Sequence, residues 1–253
     1  MESKNLSIII TTFKSESKIY SCLDSISKDI KILVIENSNN ENFKSEVEQK
    51  YSNVECFLTG QNTGYAFANN LGLSKVKTKY ALVLNPDTIV EKNALNNFLL
   101  TAKDNPDFWL IGPIDNQGKK FNVHKSDLLE VDDIKGFAIF FNMEKFKNEF
   151  FDDNYFLYFE EIDLCRKVKK QNGKIYLDPK IKIHNDGASS VNKNYKIELE
   201  KNRNWHWMWS TFYFHKKHYG YLSALIKILP KLSSSLIKFI IFLITFKKYK
   251  SEI

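Results

Sequence analysis

The segment ALVLNPDTIV, residues 81–90, begins as an apolar run and changes abruptly at Asn85. A continuous apolar run is typical of a buried strand, whereas Asn85, Pro86 and Asp87 all favour turns. A simple turn would explain the change. The same pattern also places the carboxylate of Asp87 just beyond the end of a buried strand, where it could hold a metal ion over a phosphate. The flanking sequence has to distinguish between these interpretations.

Strand-like and helix-like segments alternate through the first half of the chain. Strand-like segments lie at 6–13, 31–38, 54–60 and 79–87, and the first of them is a continuous run rich in β-branched residues. Between them, apolar residues recur at helical spacing, as in Ile19, Cys22, Leu23 and Ile26. This alternation predicts an α/β fold with a mostly parallel central sheet flanked by helices.

Polar residues follow three of the predicted strands: Thr11 and Thr12, then residues 36–38, then residues 85–87. In open α/β sheets, ligands bind beyond the carboxyl ends of the strands. Three polar strand ends favour a ligand site over three unrelated turns.

Several other classes of protein are disfavoured. No GxGxxG follows the first strand and no GxxxxGK[ST] is present, so neither a dinucleotide-binding fingerprint nor a P-loop is expected. The three cysteines are widely spaced, which does not suggest a disulfide framework or a zinc site. The first residues do not resemble a signal peptide. We therefore expect a cytoplasmic protein.

Six segments in order resemble family 2 inverting glycosyltransferases of the GT-A fold, and most closely the bacterial rhamnosyltransferase-like branch. They are SIIITTF, KILVIENSN, NTGYAFANNLGL, LVLNPDTIV, FLYFEEIDLCRKVKKQNGKIYL and IHNDGASS, which together span residues 7–190. The resemblance implies transfer of a sugar, with rhamnose as the first expectation, from a nucleotide-diphosphate donor such as dTDP-rhamnose or a UDP-sugar.

The resemblance also implies a divalent metal, Mn²⁺ or Mg²⁺, that neutralises the departing diphosphate. Asp87 matches the last residue of the family's DxD metal motif, while Asn85 replaces the first Asp. His184 matches a C-terminal metal ligand of the family. Asp87 and His184 are therefore the expected metal ligands.

The resemblance places the catalytic base among three acids at a predicted helix start: Glu160, Glu161 and Asp163. Glu161 matches the position usually assigned to the base. A helix start favours ionised carboxylates, so we expect the base to be deprotonated at neutral pH. Asp163 is expected either to orient the acceptor or to cap the helix.

Further site residues follow from the same resemblance. Asn69 is a weaker donor-contact candidate than its neighbour Asn70. Asp132 and Asp133 form an acidic pair that is either part of the acceptor side or simply solvated. The acceptor side is expected to include Gly136 and Asp133. The residues expected to contact the nucleotide sugar are Thr11, Thr12, Glu36, Asn62, Gly64, Asn70, Asn85 and Asp87.

The last quarter of the chain differs from the rest in charge and composition. Residues 191–253 hold 12 Lys and Arg against three Asp and Glu, a net charge of +9, so the remainder of the chain carries −2. The longest apolar run, 236–246, is too short for a membrane span, which needs about 20 residues. Short amphipathic helices bordered by Trp, Tyr and Lys favour docking on a membrane surface. An ordinary helical appendage is the alternative, and nucleic-acid binding is not expected.

The predicted organisation is a glycosyltransferase domain at 1–190 and a membrane-associating region at 191–253. Within the domain, residues 1–100 form the nucleotide-sugar half and 101–190 the acceptor half. The expected function is sugar transfer to a lipid-linked or oligosaccharide acceptor at the inner face of the cytoplasmic membrane, in synthesis of lipopolysaccharide O-antigen, capsule or a similar polymer. The alternatives are a sugar-nucleotide nucleotidyltransferase and a non-catalytic binding protein of the same fold.

Overall fold

A computed structural model describes residues 3–114, 127–147, 149–185 and 196–245. The ten strands within these residues are β1 Leu6–Thr12, β2 Lys31–Glu36, β3 Val54–Leu58, β4 Tyr80–Leu84, β5 Thr88–Val90, β6 Phe108–Pro113, β7 Leu129–Glu130, β8 Ala138–Asn142, β9 Lys174–Asp178 and β10 Ile183–Asn185. The seven α-helices are α1 Glu16–Asp24, α2 Glu41–Lys50, α3 Tyr65–Ser74, α4 Ala94–Asp104, α5 Glu160–Lys170, α6 Lys196–Tyr219 and α7 Tyr221–Thr245.

Eight strands form the central sheet in the order β3-β2-β1-β4-β8-β6-β9-β7. The first four are parallel, as the sequence predicts. Strand β8, however, runs antiparallel to both β4 and β6, and β7 runs antiparallel to β9. The sheet is therefore mixed, and its parallel character is concentrated in the amino-terminal half.

Helices cover both faces of this sheet. One apolar cluster joins α1, α2 and α4 to one face, with Phe43 and Phe98 among its buried residues. A second cluster joins α3 and α5 to the opposite face, with Leu73 and Leu164 among its buried residues. Strands buried on both faces explain why β1, β4 and β8 read as continuous apolar runs.

Three elements differ from what the sequence pattern favours. The segment IKGFAIFFN, residues 134–142, has the pattern of a strand, but the strand begins only at Ala138, because Gly136 and Phe137 are held in a loop by hydrogen bonds from Tyr65 and Asn85. The sequence also favours a helix from the three acids to Gly173, and this helix ends at Lys170. The carboxyl-terminal helices are long rather than short, with 24 residues in α6 and 25 in α7.

Helices α6 and α7 fold back on each other at Gly220, whose φ of +88° suits glycine. Lys231 of α7 donates to the side chain of Asn204 on α6 at 3.1 Å, so the helices run antiparallel. We call this pair the C-terminal hairpin. No helix in the described part of the chain is both long and apolar enough to cross a membrane. The proposed domain boundary at 190 and the residues 186–190 of the IHNDGASS motif lie outside the described residues.

Candidate functional site

The polar ends of β1, β2 and β4 meet at one edge of the sheet. Thr12 pairs with Glu36 in the parallel ladder, and Ile10 pairs with Leu84, the residue before Asn85. Asp87 follows two residues later and is only 6% exposed. The turn after β4 therefore places a buried carboxylate at the carboxyl edge of the sheet, beside the ends of the neighbouring strands.

Asn69, rather than Asn70, lies against the end of β1. Thr11 Oγ1 donates to Asn69 Oδ1 at 2.9 Å, and Asn69 Nδ2 donates to the Tyr65 carbonyl at the same distance. Consecutive helical residues point about 100° apart, which separates the two asparagines. Thr12 Oγ1 is also buried at this edge and has no hydrogen-bond partner among the described residues.

Asn70 instead fixes the segment that precedes α5. Its side chain donates to the Phe151 carbonyl at 2.8 Å and to Asp153 at 2.6 Å, and it accepts from the Phe151 N–H at 3.0 Å. All polar groups of this amide are therefore engaged within the protein. The structure gives Asn70 a structural contact where the sequence predicted a donor contact.

The carboxylate of Glu36 folds back onto its own loop. It accepts hydrogen bonds from the N–H groups of Ser38 and Asn40, both at 3.1 Å, and from the Ser38 hydroxyl at 2.6 Å. Glu36 is 1% exposed. Its observed role is to hold the β2–α2 loop, which differs from the nucleotide contact expected of it.

Asn37 organises the loop before α3, a role that the sequence analysis missed. Its Nδ2 donates to Asn62 Oδ1 and to the Gly64 carbonyl, both at 3.1 Å. Its Oδ1 accepts from the N–H and hydroxyl of Thr63 and from the Thr59 hydroxyl. Asn37 stood within a polar strand end, which was the only sequence signal for it. Asn62 and Gly64, both predicted site residues, are thus joined to the end of β2.

Gly64 is required by its close contact with the segment before α5. It has a φ of +85°, and a Cβ there would lie 2.5 Å from the Phe156 carbonyl oxygen. The same carbonyl accepts from the Tyr65 N–H at 2.7 Å. Because of this contact, α3 and the 151–159 segment are positioned together.

Tyr65 joins the two halves of the site and was not predicted. Its hydroxyl lies 3.1 Å from Asn85 Oδ1 and 2.9 Å from the Gly136 carbonyl. Burial raises the pKa of Tyr65 well above its usual value, and the nearby carboxylates, chiefly Glu160 and Glu161 and to a lesser extent Asp87, act in the same direction. These effects show that Tyr65 lies among the candidate base residues and the strand-end carboxylate.

Glu160 and Glu161 begin α5 after an unusual turn. Tyr158 and Phe159 have positive φ values of +72° and +70°, a backbone conformation that is uncommon for residues other than glycine. Glu161 packs against Gly136, where a Cβ would lie 3.6 Å from its side-chain carbons. One carboxyl oxygen of each glutamate is buried and has no hydrogen-bond partner among the described residues.

Burial changes the expected ionisation of these glutamates. Desolvation, reinforced by the charge of Glu161, raises the pKa of Glu160 well above its usual value. Desolvation also raises the pKa of Glu161, although backbone hydrogen bonds and Lys135 act in the opposite direction. This desolvation acts against the effect expected from the sequence, because burial disfavours the ionised carboxylate whereas a helix start favours it.

Asp133 and Gly136 lie in the loop before β8. Gly136 contacts Glu161 directly, and the negative charge of Asp133, an exposed residue, contributes to the raised pKa of Glu161. Asp132 instead lies 3.9 Å from Lys169. The loop thus places Gly136 against the candidate base, while a role of Gly136 and Asp133 toward the acceptor stays a prediction.

Asp163 is turned away from this group and is fully engaged by helix α6. Lys217 and His218 contact its two carboxylate oxygens at 2.8 and 2.7 Å, and the Tyr155 hydroxyl donates to it at 3.2 Å. Asp163 makes no side-chain cap to α5 either. Its observed role is therefore a helix–helix contact, and the expected role toward the acceptor stays a prediction.

The expected metal ligands lie at the small antiparallel sheet of β5 and β10. His184 pairs with Ile89, and its Nε2 lies 2.7 Å from the Glu91 carboxylate. Within the described ranges, no three His, Cys, Asp or Glu side chains are grouped to hold a metal ion. Asp87 alone still fits Mg²⁺ or Mn²⁺ chemistry, because such ions are often held by one carboxylate together with substrate phosphates.

A separate cavity of about 550 Å³ lies between α3 and the segment before α5, lined in part by Asn70, Phe151, Asp153 and Asp163. Neither Asp87 nor the two glutamates line it. The cavity is therefore distinct from the strand-end site.

Residues 7–166 match the family described as "Glycosyl transferase family 2". The match covers more than half of the sequence, so the chain belongs to this family. The central sheet and its flanking helices form a GT-A fold, as the sequence predicted.

Two curated relatives are similar over part of their length. The "Low-salt glycan biosynthesis hexosyltransferase Agl10" of Haloferax volcanii is 25% identical over 197 residues, which cover 66% of this chain and 62% of the relative. The "Teichoic acid poly(glycerol phosphate) polymerase" of Staphylococcus epidermidis is 26% identical over 153 residues, covering 57% of this chain and 20% of the relative. The chain therefore matches less than two thirds of the length of either relative.

Solved structures share the fold at low sequence identity. The mannosyltransferase PcManGT from Pyrobaculum calidifontis, in complex with GDP-Man and Mn²⁺, has a TM-score of 0.60 and 12% identity, covering 98% of this chain and 82% of that one. GalNAc-T7 with UDP, GalNAc and Mn²⁺ has a TM-score of 0.59 and 13% identity, with coverages of 91% and 57%. S. aureus TarS with UDP-GlcNAc has a TM-score of 0.54 and 17% identity, with coverages of 68% and 55%.

Proposed function

We propose that this protein is an inverting glycosyltransferase that moves a sugar from a nucleotide-diphosphate donor to an acceptor hydroxyl. One observation carries the proposal: Tyr65 joins the Asn85 turn of the sheet edge to the Gly136 loop, which packs against Glu161. The proposal puts a donor diphosphate near Asp87 and an acceptor hydroxyl near Glu161, on opposite sides of the reacting carbon.

The reaction requires little acid catalysis but does require a base. The acceptor oxygen forms a bond to the anomeric carbon as the bond to the diphosphate oxygen breaks, and the diphosphate leaves with the electron pair. The acceptor proton passes to a carboxylate, for which Glu161 is the first candidate and Glu160 the second. Raised carboxyl pKa values suit this role, because a base works best when its pKa lies near the working pH.

A divalent ion bound between Asp87 and the donor would neutralise charge on the departing diphosphate. His184 remains a proposed second ligand. The Asn85 amide, in contrast, is held by Tyr65, so its role would be to orient the turn that carries Asp87. Thr11, Thr12 and Asn69 would line the nucleotide side of the same edge.

The donor is proposed to be a nucleotide-diphosphate sugar, with dTDP-rhamnose as the first candidate and UDP-sugars as the second. The complexes of TarS with UDP-GlcNAc and of PcManGT with GDP-Man support the donor class. The support for rhamnose is the resemblance of the six sequence segments to the rhamnosyltransferase-like branch.

We further propose that the C-terminal hairpin docks on the inner face of the cytoplasmic membrane. Helix α7 exposes apolar side chains on successive turns, and α6 exposes Trp205 and Trp209. The most exposed side chains of α7 include Leu222, Ile226, Leu229, Leu236, Ile237 and Phe239. Interfacial helices with apolar, aromatic and basic residues bind anionic lipid surfaces. A lipid-linked acceptor in cell-surface polysaccharide synthesis would be met at this surface.

The donor and metal are tested together by thermal shift. The purified protein is heated with UDP-, GDP- and dTDP-sugars, with and without Mn²⁺ or Mg²⁺, because a ligand that binds only the folded state stabilises it, and more so as its concentration exceeds its Kd. We expect one nucleotide class to raise Tm, more strongly with metal. Asp87→Asn should remove the increment due to metal.

Turnover assays then separate the alternatives. Transfer from the stabilising donor, lost in Glu161→Gln, would support the proposal. Pyrophosphate release from a nucleoside triphosphate and a sugar 1-phosphate would instead indicate a nucleotidyltransferase. A protein that neither binds nor turns over any donor in the panel would contradict the proposed activity and favour a non-catalytic role.

Membrane docking is tested by sedimentation with vesicles that contain or lack an anionic lipid. We expect wild-type protein to bind the anionic vesicles, and the triple change Leu236→Ser, Ile237→Ser and Phe239→Ser to reduce binding at least tenfold. Leu100→Ser, which alters an exposed leucine of α4, is the matched control. Equal sedimentation of the triple variant and the wild type would contradict membrane docking through α7.

A further inference from the structure

Helix α6 contacts helix α5 through the buried carboxylate of Asp163. The side chain of Asp163 is 4% exposed, and that of His218, which contacts its Oδ1 at 2.7 Å, is 5% exposed. Lys217 contacts Oδ2 at 2.8 Å, and the Tyr155 hydroxyl donates to Oδ1. Asp163 lies one helical turn from Glu160, so these contacts hold the first turn of α5.

Lys217 also joins α6 to the segment before α5. Its ammonium group also contacts Asp152 at 2.7 Å, and Asp152 accepts from the Tyr213 hydroxyl at 3.0 Å. One lysine of α6 therefore joins two carboxylates that are eleven residues apart in sequence. The segment between Asp152 and Asp163 is pinned at both ends by the same helix.

The pinned segment contains the left-handed turn that leads into α5. The Ser210 hydroxyl of α6 donates to the Leu157 carbonyl at 2.8 Å, and Phe214 packs on Phe159 with ring centroids 5.2 Å apart. Earlier in the segment, the His206 ring stacks on Phe156 at 4.1 Å. Left-handed conformations at Tyr158 and Phe159 are unfavourable for these residue types, so surrounding contacts have to maintain them.

We propose that α6 sets the position of the catalytic carboxylates, and that Asp163 is a positioning residue acting through α5. The inference rests on the proposed function, since it assigns Glu160 and Glu161 to the reaction. Asp163 touches neither donor nor acceptor in this arrangement. It fixes the rotation of α5 and the turn before it, and hence the position of Glu161 against Gly136.

Misplacement of a catalytic group by about 1 Å can cost 100-fold in rate. Asp163→Asn keeps the side-chain shape but removes the charge that Lys217 and His218 contact. We expect kcat to fall about 10- to 100-fold while the KM for donor changes less than threefold, because the strand-end donor site is made by other elements. A loss of global stability alone would not lower the kcat of the folded protein while its KM for donor stayed nearly unchanged.

Lys167→Met is the matched control on the same helix. Lys167 pairs with the exposed Glu149 at 2.9 Å and makes no contact with α6 among those observed. It should leave kcat within twofold of wild type. Ser210→Ala is the second test variant, since it removes only the hydroxyl that holds the Leu157 carbonyl, and it should lower kcat by a smaller factor.

Hydrogen exchange provides a readout that does not depend on activity. Amides of residues 157–163 should exchange at least tenfold faster in Asp163→Asn and faster in Ser210→Ala, and unchanged in Lys167→Met. Unchanged exchange in this segment, or a kcat within twofold of wild type for folded Asp163→Asn, would overturn the positioning role. If wild-type protein showed no transfer, the proposed function would fail, whereas the exchange data would still decide whether α6 holds the turn. If Asp163→Asn did not fold, Ser210→Ala would decide by the same two measurements.

Discussion

The hydroxyl of Tyr65 donates a hydrogen bond to Oδ1 of Asn85 at 3.1 Å, and so ties the first turn of α3 to the turn that carries Asp87. The same hydroxyl lies 2.9 Å from the Gly136 carbonyl, on the loop that packs against Glu161. The Tyr65 hydroxyl therefore contacts both the turn that carries Asp87 and the loop that packs against the candidate base.

Tyr65→Phe should weaken both stability and catalysis. The change leaves Asn85 Oδ1 and the Gly136 carbonyl without this donor, and a buried polar group that loses its partner costs about 1–3 kcal/mol. We expect the free energy of unfolding in urea to fall by about that amount, and kcat/KM to fall at least tenfold. Tyr20→Phe is the control, because the Tyr20 hydroxyl interacts with Glu46 away from the site. Equal effects of the two changes would argue against a special role for Tyr65.

Gly64→Ala should be far more destabilising than Gly60→Ala. Both glycines have positive φ, which is unfavourable for alanine, and the φ of +85° and ψ of +171° at Gly64 lie in a region essentially restricted to glycine. Only at position 64 would the new Cβ meet a backbone oxygen at 2.5 Å, whereas nothing lies within 4 Å at position 60. The clash should add about 1–3 kcal/mol. Urea unfolding of both variants measures the difference. Similar midpoints would show that the 151–159 segment moves to accommodate the new Cβ without a loss of stability.

Asn85→Asp should strengthen metal binding while preserving the contact with Tyr65. An aspartate at this position can still accept from the Tyr65 hydroxyl, and it adds a second hard oxygen ligand next to Asp87. We expect a lower Mn²⁺ concentration for half-maximal turnover, by about threefold or more. Asp87→Asn should have the opposite effect. A Mn²⁺ titration of turnover checks both, and an unchanged midpoint in both variants would place the metal elsewhere.

Activity should increase as pH rises through the raised pKa of the glutamate pair. The base must be ionised, and burial keeps Glu160 and Glu161 protonated to higher pH than free glutamate. Glu161→Gln should lower kcat by about 100- to 10,000-fold at high pH, the usual contribution of a general base. Glu149→Gln, at an exposed position, should leave the pH profile unchanged. If Glu160→Gln rather than Glu161→Gln abolished turnover, the base would be reassigned.

The same raised pKa predicts an effect on stability. Between the unfolded and folded pKa values of Glu160, the folded state binds more protons, so its stability falls as pH rises. Removing the charge should therefore help at neutral pH. Glu160→Gln is expected to raise Tm near pH 7.5 and to change it little near pH 4, where the carboxyl is already protonated. A lower Tm for the variant at pH 7.5 would show that Glu160 gains compensating contacts.

Most of the fold could be predicted from the sequence because its signals are local. Continuous apolar runs identified β1, β2 and β4, and the spacing of apolar residues identified the helices that cover them. The position of the polar residues at the strand ends follows from the same runs. The antiparallel direction of β8 could not be read in this way, because a strand buried on both faces has the same apolar pattern in either direction.

The site was predicted only in part, since its geometry depends on contacts between distant segments. Asn69 and Asn70 are adjacent in sequence, and only helix rotation decides that the first contacts Thr11 while the second holds Phe151. Glu36 was expected to contact the nucleotide, whereas its carboxylate accepts hydrogen bonds from its own loop.

The sequence by itself determined the family, the α/β sheet and the acidic cluster at the start of α5. The tertiary structure alone decided which of these acids pair with basic side chains and which do not. Asp163 contacts Lys217 and His218 of α6, which lie 54 and 55 residues away in sequence. Glu160 is buried and Glu161 half-buried, and neither forms a salt bridge among the described residues, so desolvation raises their pKa values. A carboxylate's role depends on the charges and solvent around it, and the fold brings these from segments that no local pattern connects.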